Sequence, residues 1–180
     1  MSIDASTAGL WKRELADRAA SILGRYQAWD GTLQSEFEIE KEVFIGFYAV
    51  RKLMESGRAP TASNFNIKIT EYPPLSGIDF EATFADKWQK AYRLIDGNSV
   101  NLSTKRLCDQ FIHSKIYSPF VAGGVGVMGI FFASDAKYET GVYYIQLYRI
   151  AELFLCVGED RQVCLALTTK GGRVQVSRVN

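Results

Sequence analysis

His113 is the one histidine in this 180-residue chain, and that count narrows the chemistry open to it. Metal sites built on paired histidines are excluded, and no Cys-x-x-Cys stands in for them. A helix from Ser103 to about Tyr117 would set Arg106, Asp109, Gln110, His113 and Tyr117 on one face, with Leu107, Cys108, Phe111 and Ile112 opposite. Arg106 and His113 stand two helical turns apart, so both side chains could reach one phosphate. In that arrangement His113 exchanges a proton with an attacking 2′-hydroxyl or a leaving oxygen, and Arg106 stabilises charge on the phosphate. Asp109, one turn before His113, would orient the imidazole, with Gln110 and Tyr117 as supporting groups. The other reading of these residues is a histidine hydrogen-bonded to Asp109 beside a solvated arginine.

The segment from Arg106 to His113 resembles the motif of HEPN-type ribonucleases, an arginine followed after four to six residues by a histidine on a helix. Six residues intervene here. The resemblance implies an antiparallel helical domain and metal-independent RNA cleavage by Arg106 and His113. It also implies RNA as a partner and two copies of the motif meeting across a dimer interface.

Other motifs are shorter. Gly124-Val-Gly-Val-Met-Gly129 matches the glycine fingerprint that lets a backbone turn approach a pyrophosphate. That site needs a strand before it and a helix after it, yet Ile130-Phe-Phe132 is β-prone, so a bulged or closely approached strand is expected instead. Asp135-Ala-Lys137 has the acid-x-lysine form of metal-dependent nucleases, with Asp79 or Glu81 as a second carboxylate; the alternative is a solvated turn. Arg161, Lys170, Arg173 and Arg178 make the last twenty residues basic, which could hold a phosphate backbone or guard strand edges against aggregation. Cys108, Cys156 and Cys164 are odd in number and sit in apolar runs, as buried thiols of a reducing cytoplasm do. Nothing in these motifs calls for a cofactor or a metal.

The elements that must position such groups follow from periodicity. Leu15, Ala19, Ile22, Tyr26, Trp29 and Leu33 recur in steps of four and three, the stripe of an amphipathic helix over about 8–33. Ser35-Glu-Phe-Glu38 has the form of a capping box and starts a second helix near Glu36, with Ile39, Val43, Phe47, Val50 and Met54 buried. Gly24 and Gly46 inside these helices point to close packing, because an uncompensated mid-helix glycine costs about 1 kcal/mol. Phe65–Tyr72 alternates as a strand, and Ile78–Phe84 is expected as a second strand, with a helix over Lys87–Ile95. From Val125 onward β character dominates: strands at 125–132, 142–147, 163–168 and 174–179, with a short helix over 150–157 between the second and third and the last two a hairpin through Lys170-Gly-Gly-Arg173.

Segregated helices and strands favour α+β over a doubly wound sheet. The expected chain is a single domain over 1–180, with a helical hairpin (1–58), a mixed stretch (60–117) and a mainly β stretch (120–180) packed as helices on a mostly antiparallel sheet. Lys+Arg 21 against Asp+Glu 20 gives net +1, so any nucleic-acid contact must be a local patch, and no apolar run suits a membrane. Two function classes remain: RNA cleavage by the Arg106–His113 pair as a dimer, or a non-catalytic module that binds a protein partner or a second copy of itself.

Overall fold

The computed structural model describes residues 4–25, 30–63, 65–81, 87–123, 126–170 and 173–179. It is an α+β fold. Helix α1 (Ala5–Gly24) is capped by Asp4, whose carboxylate accepts from the Thr7 N–H at 2.7 Å. Leu15, Ala19 and Ile22 are fully buried as the stripe requires. The helix stops at Gly24 rather than continuing to Leu33; Tyr26 and Trp29 lie outside the described residues, and Leu33 is exposed at the start of α2 (Leu33–Glu55).

The N-cap of α2 is Thr32, not Ser35, so the helix begins three residues before Glu36. The cause is Asp30, a charged acceptor that takes the Ser35 hydroxyl and both the N–H and the hydroxyl of Thr32. Thr32 Oγ1 is left to accept from the Ser35 N–H at 3.2 Å. Glu38, free of a capping box, pairs with Arg25 across the helix pair. Ile39, Val43, Phe47 and Val50 are buried as expected, and α1 lies against α2.

After a short helix α3 (Pro60–Ser63), strand β1 (Asn66–Tyr72) forms where the alternation placed it. The next stretch departs from expectation. Residues 78–81 form no strand and 82–86 lie outside the described residues, while Lys87–Ile95 contributes only a 3-10 turn over Trp88–Ala91. Tyr92 explains the stop: it is extended, bridges to Pro74, and buries its ring under the sheet. Strand β2 (Asn98–Ser103) is polar and was not expected; pairing with β1 makes it, with Leu102 opposite Ile67 and Val100 opposite Ile69.

Helix α4 (Thr104–Ile112) is shorter than the Ser103–Tyr117 span, because His113 is its C-cap and β3 (Ser114–Ala122) starts at the next residue. Pro119 does not prevent this strand, since β3 is at the sheet edge, where a missing N–H costs no ladder bond. Then follow β4 (Gly126–Ser134), β5 (Val142–Gln146), α5 (Leu147–Gly158), β6 (Cys164–Lys170) and β7 (Arg173–Val179). The larger sheet has the order β2-β1-β5-β4-β3, antiparallel throughout, and β6 and β7 pair as a separate hairpin. The tip of that hairpin, Gly171–Gly172, is outside the described residues.

The helices cover the inner face of the large sheet. A column of rings ties them to it: Phe154 of α5 meets Phe47 of α2 edge-on, Phe47 stacks on Phe111 of α4 at 4.1 Å, and Phe111 stacks on Phe132 of β4 at 4.3 Å. This column sets the position of α4, and with it Arg106 and His113. On the outer face, Ile116, Ala133 and Val142 form a second cluster beneath Tyr92 and Ala91. That cap covers one end of the outer face, and among the described residues nothing covers the other end. Among the described residues no helix is long and apolar enough to cross a membrane.

Candidate functional site

The α4 residues do not assemble as the single polar face expected of them. Arg106 is exposed in the first turn, its N–H accepted by the Ser103 hydroxyl at the N-cap. His113 is exposed at the other end, its backbone N–H bonded to Asp109 O and its carbonyl accepting from the Asp135 N–H. Asp109 pairs with Arg51 of α2, not with His113. Gln110 turns inward, where its Oε1 accepts from the Ser134 N–H at 3.2 Å. Tyr117 is on β3 and packs on Phe44; its hydroxyl is buried with no hydrogen-bond partner among the described residues, and that burial drives its pKa up. It therefore cannot support chemistry at His113.

His113 does line a cleft of about 360 Å³ between α2 and α4, together with Tyr48, Arg51, Lys52, Glu55 and Asp109. Arg106 is not part of it. The cleft carries two cations and two carboxylates, and Arg51 bonds both Asp109 and Glu55, which hold its pKa up. Lys52 lies over the Trp11 and Tyr48 rings. Arg51 and the two carboxylates thus satisfy one another, and Lys52, seated on its rings, is the cleft's cation without a carboxylate partner among the described residues.

The remaining motifs resolve into structural roles. Gly126 to Gly129 are in β4, followed by more strand and no helix, so they do not form a phosphate loop; Gly124 and Val125 lie outside the described residues. Asp135-Ala-Lys137 is a turn in which Asp135 accepts from the Ala136 N–H and Lys137 pairs with Glu71. Among the described residues no three His, Cys, Asp or Glu side chains gather as a metal site would need. Arg161 and Arg178 both pair with Glu159, and nothing is described of the Lys170 and Arg173 side chains. Cys108 and Cys156 are buried, Cys108 with its thiol pushed up to about 12 by that burial, whereas Cys164 is exposed.

The open end of the outer sheet face is a surface that motif reasoning passed over. The register lays it out in cross-strand rows. One row reads Ser118, Phe131, Tyr144, Thr70, Ser99 from β3 to β2; beside it Phe120 faces Gly129, Gly129 faces Gln146, and Lys68 faces Asn101. Phe131 and Tyr144 lie 4.9 Å apart, and Phe120 stands edge-on to both at 6.0 Å. Gly129 makes this possible, because a Cβ there would overlap the Tyr144 ring and the Ile145 carbonyl. Two hollows meet at Tyr144. One, about 430 Å³, is aromatic and includes Tyr72, Trp88, Phe120 and Phe131. The other, about 250 Å³, is polar and includes Lys68, Thr70, Ser99, Gln146 and Arg149. Burial raises the Tyr144 phenol to about 12, so it stays a neutral hydrogen-bond donor.

No family model, curated protein or solved structure matches the chain. The outer face is not continuous with the His113 cleft. Gly129 and Ser134 are five residues apart on β4, about 17 Å at strand rise, and His113 lies beyond the Ser134 end. A signal for the open face was present in the sequence, in the alternation of Val142-Tyr-Tyr-Ile-Gln146. It places Tyr144 and Gln146 opposite the buried Tyr143 and Ile145, but only the pairing with β1 and β4 brings Lys68, Phe120 and Phe131 alongside.

Proposed function

We propose that this protein is a non-catalytic binding module and that its ligand is a planar aromatic anion held on the open end of the outer sheet face. One observation carries the reading: the aromatic hollow and the polar hollow share Tyr144, so a ring-stacking surface and two cations, Lys68 and Arg149, adjoin one another. Planar rings pack against aromatic edges and faces, and an exposed ammonium or guanidinium supplies the counter-charge. By contrast, Arg51 of the His113 cleft is already held by both of that cleft's carboxylates. Titrating isotope-labelled protein with adenosine monophosphate, a small aromatic anion, tests it. Amide shifts are expected at Lys68, Tyr144 and Gln146; shifts confined to other residues, or none, overturn it.

A second reading, RNA cleavage by Arg106 and His113, is favoured by the exposure of His113 in a cleft that also holds Arg51 and Lys52. Following the resemblance to HEPN-type ribonucleases, it requires two copies of the chain to bring their motifs together, because Arg106 and His113 of one copy do not line one cleft. It expects RNA cleavage that persists in chelator and is lost in His113→Ala, since a positioned acid–base group contributes about 10²–10⁴-fold. RNA left uncut by the wild type removes this reading.

A further inference from the structure

Resting on the binding-module reading, we infer that the ligand of the outer face is single-stranded RNA, with a base stacked on the Tyr144–Phe120 ledge and the backbone running over Lys68 and Arg149. Four features of the surface converge on this occupant. First, a ledge of rings accepts any base, because every base has a π-face, and Phe120 is 45% exposed at its rim. Second, the phosphate would find cations at strand spacing. Lys68 is two residues along β1 from Thr70, the partner of Tyr144, which puts it about 7–8 Å from Tyr144 on the diagonal. It is exposed and has no ionic partner among the described residues. Arg149 lies at the same hollow; it bonds Glu152 and lies over the Tyr148 ring, and a guanidinium carries five N–H donors, so some remain for a phosphate.

Third, the surface is complementary in charge. The outward positions of all five strands at this end carry no carboxylate; Glu71 points to the inner face and pairs with Lys137, and Glu152 is buried behind Arg149. Fourth, the strip beside Lys68 is neutral and rich in hydroxyls and amides: Thr70, Ser99, Asn101 and Gln146. Such groups can both donate to and accept from a 2′-hydroxyl, the group by which a protein distinguishes RNA from DNA. Double-stranded RNA hides its bases in the stack and could not use the ledge.

The test is fluorescence anisotropy with labelled eight-nucleotide RNA and DNA of one sequence, on the whole chain, alongside the adenosine monophosphate titration. RNA is expected to bind more tightly than both the mononucleotide and the matching DNA. Phe120→Ala, at an exposed position, should weaken RNA binding by about 5- to 150-fold, the cost of one lost stack. Lys68→Glu should weaken it and flatten its salt dependence, since neutralising two phosphates of a single strand gives a slope of about −1.4 in log K against log salt. Far-UV circular dichroism checks that both variants remain folded. Mononucleotide shifts at Tyr144 without tighter RNA binding, or DNA binding as tight as RNA, overturn this inference and leave the aromatic-anion reading standing. Absence of both kinds of binding overturns the two together.

Discussion

Replacing Gly46 with alanine sets two opposed effects against each other, and the structure decides between them. Gly46 lies inside α2, where alanine is the better helix former by about 1 kcal/mol. Its missing Cβ, however, is where the Phe154 ring of α5 sits; a methyl group there would overlap two ring carbons. The ring cannot withdraw easily, being fully buried and held edge-on by Phe47 at 5.3 Å. Forcing extra volume into such a site costs about 1–3 kcal/mol, and a ring with nowhere to go puts this case in the upper part of that range. Gly46→Ala should therefore destabilise the protein by about 1–2 kcal/mol net, read from urea unfolding at constant m. In a Phe154→Leu background the overlap is relieved, and the same substitution should become neutral or stabilising by up to about 1 kcal/mol, a coupling of about 1–3 kcal/mol. Gly24→Ala is the control, since it meets nothing within 4 Å at the end of α1. A Gly46→Ala protein more stable than wild type, or no coupling to Phe154, would refute the close approach of α2 and α5.

Glu152 is 4% exposed and spends one oxygen on Arg149 and the other on the Leu165 N–H at 2.7 Å, so Glu152→Ala strands a buried donor where β6 meets α5. A loss of about 2–3 kcal/mol is expected in denaturant unfolding, with faster hydrogen exchange at Leu165; a change under about 0.5 kcal/mol would show that the bond does not hold the hairpin. Asp30 titrates at about 2, held down by the Ser35 hydroxyl and by Thr32, below the ordinary value of about 3.9. Its contribution to the start of α2 is thus complete above about pH 4 and lost as pH falls through about 2. Carboxyl chemical shifts should show this midpoint and Asp30→Asn should abolish the accompanying change at Ser35; a midpoint near 4 would contradict the cap.

The sequence made the fold class legible because its strongest signals are local. The Leu15–Ile22 and Ile39–Val50 stripes, the alternation of β1 and the four later β runs each reflect which side chains must leave water, and each appears in the structure. Errors fell where a partner outside the window decides the outcome. The strand β2 exists because β1 offers a ladder, and α4 ends at Ile112 because β3 pairs with β4 from Ser114 onward. The same limit governed the site. Helical spacing grouped Asp109, Gln110 and Tyr117 with His113, whereas Arg51, the Ser134 amide and Phe44 each drew one of them away. Gly129 was read as a strand glycine making room for a close approach, but which ring fills the space it leaves depends on β5 lying beside β4.

A net charge of +1 conceals an uneven division of labour between the two faces of the molecule. On the helical side several arginines are matched by carboxylates: Arg18 meets Glu14 and Glu42, Arg25 meets Glu38, and Arg51 meets Glu55 and Asp109. The more exposed of these pairs contribute only about 0–1 kcal/mol each to stability, yet every pair offsets the charge of the arginine it holds. On the outer sheet face Lys68 has no ionic partner among the described residues, while Arg149 is paired with the buried Glu152. Within a Debye length of about 8 Å at physiological salt, Lys68 therefore adds a cationic field next to the rings of Tyr144 and Phe120, with the remaining guanidinium donors of Arg149 beside it. On the proposed reading, an anion that reaches this face meets Lys68 where a planar ring can also be seated, so the affinity must fall as salt rises.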